Sequence, residues 1–196
     1  MTNKYKAALL FLFVIFGIGF FLRVYRLGQN IPELYSDEVG HYYYLENIKS
    51  GSVGIVRRIS YLFFTASWVV GLNPLGVRLA SAIFGSLTIL IGFCFAKTLA
   101  KKSQTNLYLR VALVFSFLLA VLPWNIAISR LGHTHIPIIV FTVLLHLFMY
   151  LTATKTLQKV FSFIPFLIGS YYYPTLILMS PLILLRYKSG STSSQS

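Results

Sequence analysis

The sequence predicts an all-α, polytopic helical membrane protein of about six membrane segments, the last two a short hairpin, with a long helical first outer loop. Three observations carry this reading. Of the 196 residues, 57% are hydrophobic and only 11% charged, whereas a soluble domain carries roughly a quarter charged residues and a disordered chain is far less apolar. The apolar residues fall in long runs with few interruptions. Lys and Arg number 17 against 4 Asp and Glu, and the cations sit mostly at the ends of those runs, so the net charge of +13 is topological. No nucleic-acid partner is expected, because a phosphate-binding surface gathers its cations in one stripe or patch. The single cysteine, Cys94, lies inside an apolar run and excludes an intramolecular disulfide and a Cys-based zinc site.

The first element is the apolar run Ala7 to Leu22, preceded by Lys4 and Lys6 and followed by Arg23 and Arg26. No small-x-small cleavage site follows it, so it reads as an uncleaved first helix. Further spans are expected over Leu75 to Ala96, Leu107 to Ile128 and Ile136 to Ala153, each near the ~20 residues that cross a ~30 Å hydrocarbon core. The last apolar stretch, Val160 to Leu185, contains Pro165, Pro174 and Pro181. It would be about 39 Å long as one helix, and as two shorter helices turning at Tyr173 and Pro174 it returns to its starting side.

Charge sets the orientation. With the N-terminus in the cytoplasm, Lys4, Lys6, Lys97, Lys101, Lys102, Arg110, Lys155 and Lys159 all fall on the cytoplasmic side, and Arg186 and Lys188 join them if the final stretch is a hairpin. The chain is then an integral, multi-pass protein of the plasma (inner) membrane. Residues 1–188 form the membrane module, 23–74 its outer loop, and 189–196 a disordered Ser-rich tail.

All four acidic residues of the chain, Glu33, Asp37, Glu38 and Glu46, lie in that outer loop. Ser36 can cap a helix opening at Asp37, and acids in a first turn are favoured by the helix dipole, so Asp37 and Glu38 also have a purely structural explanation. Gly51 is the expected stop. Asp37 and His41 share one helix face, a spacing that serves either a metal ligand pair or a hydrogen bond; two ligands alone make no site. Val53 to Val70, with Arg57, Arg58, Tyr61 and Trp68, reads as a helix lying in the headgroup region. Arg130, at the outer end of the third span and followed by His133 and His135, is either a headgroup anchor or a grip on a phosphate, which the planar guanidinium fork does well. Inside the spans the clearest ionisable residue is His146, which is more often a packing residue than part of a transport path.

Four landmarks now stand in order: the Asp37-Glu38 pair opening a helix after the first span, Gly71-Leu-Asn-Pro-Leu-Gly-Val-Arg78-Leu-Ala-Ser-Ala-Ile-Phe-Gly85, Pro123-Trp124-Asn125-Ile-Ala-Ile-Ser129-Arg130, and Gly169-Ser-Tyr-Tyr-Tyr173-Pro174. Together they resemble the N-terminal portion of GT-C glycosyltransferases, and most nearly the protein mannosyltransferase, lipid A aminoarabinose transferase and lipopolysaccharide-core transferase branches. The resemblance covers roughly residues 5 to 187. It implies a transferase that moves a sugar from a polyprenyl-phosphate carrier to a lipid, glycan or protein acceptor on the non-cytoplasmic face, with inversion.

In that family the aspartate of the pair is the catalytic or metal-holding residue, which maps onto Asp37, with Glu38 and His41 supporting it; His41 stands where the family commonly has an aromatic. Arg130, and second Arg78, are the expected partners of the lipid phosphate, and a divalent metal cation is the one cofactor the resemblance admits, with Asp37 as its ligand. Arg57 and Arg58 would guide the donor in from the bilayer. Members of the family commonly run to several hundred residues, so the resemblance implies an incomplete module: a fragment of a longer enzyme, one half of a split enzyme whose second chain supplies the C-terminal half, or a non-catalytic truncated or accessory subunit that binds a lipid phosphate.

Overall fold

The structure, a computed structural model, describes residues 3–29, 36–51, 70–71, 73–132 and 135–172. Among these residues all regular structure is helical. The expected surface helix over Val53 to Val70, the turn at Tyr173 and Pro174, and the Ser-rich tail lie outside the described residues, apart from Val70 itself.

Helix α1 (Asn3–Val24) follows the first apolar run. Its 22 residues span about 33 Å, enough to cross a hydrocarbon core. Only Ala8, Gly19 and Arg23 are buried on it, and Phe11, Phe13 and Phe21 point outward, the pattern of a helix whose remaining surface is meant for lipid. Tight turns follow, closed by Leu27 N–H to the Val24 carbonyl at 3.1 Å and Gln29 N–H to the Arg26 carbonyl at 3.1 Å. Helix α2 (Ser36–Lys49) opens on the acidic pair. It stops where expected: Gly51 adopts φ +81°, a left-handed conformation that favours glycine, and its N–H bonds the Ile48 carbonyl at 3.1 Å.

Helix α3 (Pro74–Lys102) is the centre of the bundle and packs against α1, α4, α5 and α6. Its start is written locally. The Asn73 side chain accepts from the Gly76 N–H at 2.8 Å, and Pro74 occupies the first helical position, where its missing N–H costs nothing. α1 and α3 run antiparallel. At one end Lys97 donates to the Tyr5 hydroxyl at 3.0 Å and lies over the Tyr5 ring, while at the other Arg78 reaches the Leu27 carbonyl at 3.3 Å. Near the Lys97 end Phe93, Ala96 and Ala112 form a core packed by Leu12, Leu109 and Phe115.

The third expected span is not one straight helix. It divides into α4 (Tyr108–Val121) and α5 (Pro123–Arg130), bent by 52° at Leu122. The cause is Pro123: Leu122 is held extended at ψ 118°, as the residue before a proline prefers, and the α-helical ladder cannot pass through. Helix α6 (His135–Thr152) carries the next apolar run, and α7 (Thr156–Phe161) and α8 (Phe163–Tyr172) begin the last stretch. α8 packs back on α6, where buried His146 shares a 2.7 Å hydrogen bond with the Ser162 carbonyl and its ring lies tilted against those of Phe163 and Phe166, with centroids 4.8 and 5.7 Å away.

Among the described residues two helices, α1 and α3, are long and apolar enough to cross a membrane, and a third if the bent α4–α5 pair acts as one span. The sequence predicts about six segments, more than these helices supply. The apolar helix in α6, Ile136–Thr152, spans only about 25 Å, and α7 and α8 are shorter still.

Candidate functional site

The end of the bundle opposite Lys97 holds the acidic pair. Glu38, in the first turn of α2, is fully buried, as is Arg78, in the first turns of α3. The two form a two-point ion pair, Arg78 Nε to Glu38 Oε1 at 2.8 Å and Arg78 Nη2 to Glu38 Oε2 at 2.7 Å. The backbone N–H of Gly132, just past α5, donates to Glu38 Oε1 at 2.5 Å. Opposite charge and several hydrogen bonds together are what a carboxylate needs to remain ionised away from water. Gly132 has to be a glycine: a Cβ there would lie 2.8 Å from Glu38 Cγ and 2.9 Å from Val77 Cγ1.

A second layer lies one turn deeper. Arg23, near the end of α1, is fully buried and donates through Nη1 to the carbonyls of Gly19 at 2.7 Å and Ala120 at 3.0 Å, and through Nη2 to Leu119 at 2.8 Å. Asn125 Nδ2 also donates to the Leu119 carbonyl, at 2.8 Å. Ser129 faces Gly85 of α3, where a Cβ would sit 2.6 Å from Ser129 Cβ. Arg130 ends α5 and donates through Nη1 to the Leu22 carbonyl at 2.8 Å. Beside this layer, a cleft of about 610 Å³ lined by Tyr25, Arg26, Gln29, Asn73 and Leu75 opens between the end of α1 and the start of α3.

No family model, curated protein or solved structure matches the chain. The site therefore rests on its own geometry, and that geometry treats the sequence-predicted residues differently. Asp37 lies in the first turn of α2, one residue before Glu38; its side chain and that of His41 lie outside the described residues. Glu38 and Arg78 are brought together, so Arg78 spends Nε and Nη2 on an internal carboxylate instead of facing a surface. Arg130 is partly exposed and tied at Nη1 to α1.

Among the described residues, no three His, Cys, Asp or Glu side chains gather, and both Glu38 oxygens are already engaged, so these residues do not form a metal-ligand set.

Two members of the site escape a reading of the sequence alone. Arg23 looks like any cation at the end of an apolar run, and its burial depends on α3, α4 and α5. Gly132 is one more loop glycine. The one local signal was Pro123, whose missing N–H requires that something else serve the Leu119 carbonyl.

Proposed function

We propose that the chain is a membrane glycosyltransferase module of GT-C type, taking a sugar of hexose or pentose type from a polyprenyl-phosphate carrier and passing it with inversion to an acceptor on the non-cytoplasmic face. The observation that carries this reading is the convergence of three separate motifs on one clamp. Glu38 of the Asp37-Glu38 pair, Arg78 of the segment ending at Gly85, and Gly132, two residues past the Pro123-to-Arg130 element, meet within hydrogen-bond distance. The turn that carries Asp37 is thereby tied to the start of α3 and the end of α5.

In this reading the acceptor hydroxyl attacks the anomeric carbon, Asp37 takes the hydroxyl proton, and the bond to phosphate breaks with its electrons leaving on the phosphate oxygen. Charge passes through an oxocarbenium-like state, and a single displacement inverts the anomeric centre. The leaving phosphate gains from a fixed cation rather than from an acid. Arg130 suits that task, since one nitrogen anchors it to Leu22 and the rest of its fork stays available among the described residues. No step runs through a metal ion.

The proposal carries its topology with it: about six membrane segments in the plasma (inner) membrane, the N-terminus in the cytoplasm, and residues 23–74 outside. The test is sugar transfer by the chain in nanodiscs supplied with a polyprenyl-phosphate sugar. Asp37→Asn abolishes transfer and leaves insertion intact. Full transfer by that variant removes Asp37 as the base, and binding of polyprenyl phosphate with no turnover identifies an accessory lipid-binding subunit instead.

A further inference from the structure

Arg23 is a buried guanidinium with no carboxylate against it among the described residues, and its Nε has no hydrogen-bond partner there. Such a charge is costly to bury, and a leucine would fill an apolar helix end at lower cost. The acceptors it meets explain its presence. Pro123 has no N–H, so the Leu119 carbonyl four residues earlier loses its helical donor. The Ala120 carbonyl stands at the end of α4, where carbonyls have no partner within the helix. Arg23 serves both, and Asn125 adds a second donor to Leu119.

We infer that Arg23 is a positioning residue: its guanidinium stands in for the N–H that Pro123 lacks, holds the bend between α4 and α5, and so delivers Arg130 and Gly132 to Leu22 and Glu38. α5 is the lever. It starts at the capped break and ends at Arg130, and its eight residues span about 12 Å. α3 leaves room for this arrangement at Gly85, where a Cβ would press on Ser129 and come within 3.2 Å of Arg23 Nε. The capping role stands without any assigned activity, while the consequence for phosphate binding rests on the function proposed above.

The test is a double-mutant cycle on the full chain in nanodiscs, combining Arg23→Met with Pro123→Ala, which returns an N–H to the Leu119 carbonyl. The folded-to-unfolded ratio changes at least tenfold less on Arg23→Met in the Pro123→Ala background than in the natural one. Asn125→Ala gives a second cycle should Pro123→Ala fail to fold: with the other donor to Leu119 removed, Arg23→Met becomes at least threefold more damaging. Effects that agree within twofold across the backgrounds overturn the capping role.

The positioning role is read from affinity for polyprenyl phosphate, corrected for the folded fraction. Arg23→Met weakens it tenfold or more, and Arg23→Lys, which keeps a cation and donors, restores part of the loss. Unchanged affinity in folded Arg23→Met, when Arg130→Ala loses it, overturns the positioning. A natural chain that binds no polyprenyl phosphate at all refutes the functional reading and leaves the stability cycle to decide the cap.

Discussion

Arg78 and Glu38, forty positions apart in the chain, meet inside the protein as a two-point ion pair, Nε to Oε1 at 2.8 Å and Nη2 to Oε2 at 2.7 Å. Each is the other's main compensation for leaving water. Replacing Arg78 alone with leucine therefore costs about 3–5 kcal/mol, because it strands a buried carboxylate. Replacing both with leucine recovers more than half of that loss, leaving mainly the Gly132 N–H without its acceptor. Equilibrium unfolding of the three variants in mild detergent checks this; additive losses would show that the pair is not a unit.

Gly132→Ala is expected to destabilise by about 1–3 kcal/mol, since the added methyl meets the stem of Glu38 and Val77 in a packed interior. The readout is the midpoint of thermal unfolding. A simultaneous rise in proteolysis between α2 and α3 would show the clamp opening, and an unchanged midpoint would show that the loop yields freely.

Gly85→Val should be more damaging than Gly85→Ala, because the contact it invades is the Ser129 side chain on α5 rather than a flexible tip. We expect a loss of about 1–3 kcal/mol for alanine and more for valine. Ser129→Gly in the same chain relieves part of it. Equal stability of Gly85→Ala with and without Ser129→Gly counts against direct packing of α3 on α5.

Arg130→Ala is expected to weaken polyprenyl-phosphate binding about tenfold or more, with Arg130→Lys intermediate because an ammonium keeps the charge and loses the fork. The comparison is made by titration into nanodiscs of fixed composition. Equal loss with an uncharged polyprenol would assign Arg130 to packing against α1 instead.

His146→Leu removes the imidazole hydrogen bond to the Ser162 carbonyl at the junction of α7 and α8. A loss of about 0.5–1.5 kcal/mol follows from one buried hydrogen bond removed from a carbonyl that also opens α8. His146→Gln, which keeps a donor, is expected to retain more stability in the same unfolding assay, and identical losses would point to shape alone.

Local signals settled a good part of this protein. Long apolar runs with flanking cations determined a helical chain with helices long and apolar enough to cross a membrane, Asn73 and Pro74 wrote the start of α3, Gly51 wrote the end of α2, and the gathering of the acids in one loop drew attention to the residues beside the clamp. Such features act within a turn or two of the chain, so they are legible one residue at a time. Tertiary structure decided what distant segments owe one another. Arg78 turned inward because Glu38 reached it across the α2–α3 connection, and Arg23 went into the bundle because Pro123, a hundred positions away, left carbonyls without donors. A cation at the end of an apolar run looks the same whether a headgroup, a carboxylate or a bare carbonyl awaits it, and only packing brings the partner within the 3 Å or so at which the charge is satisfied.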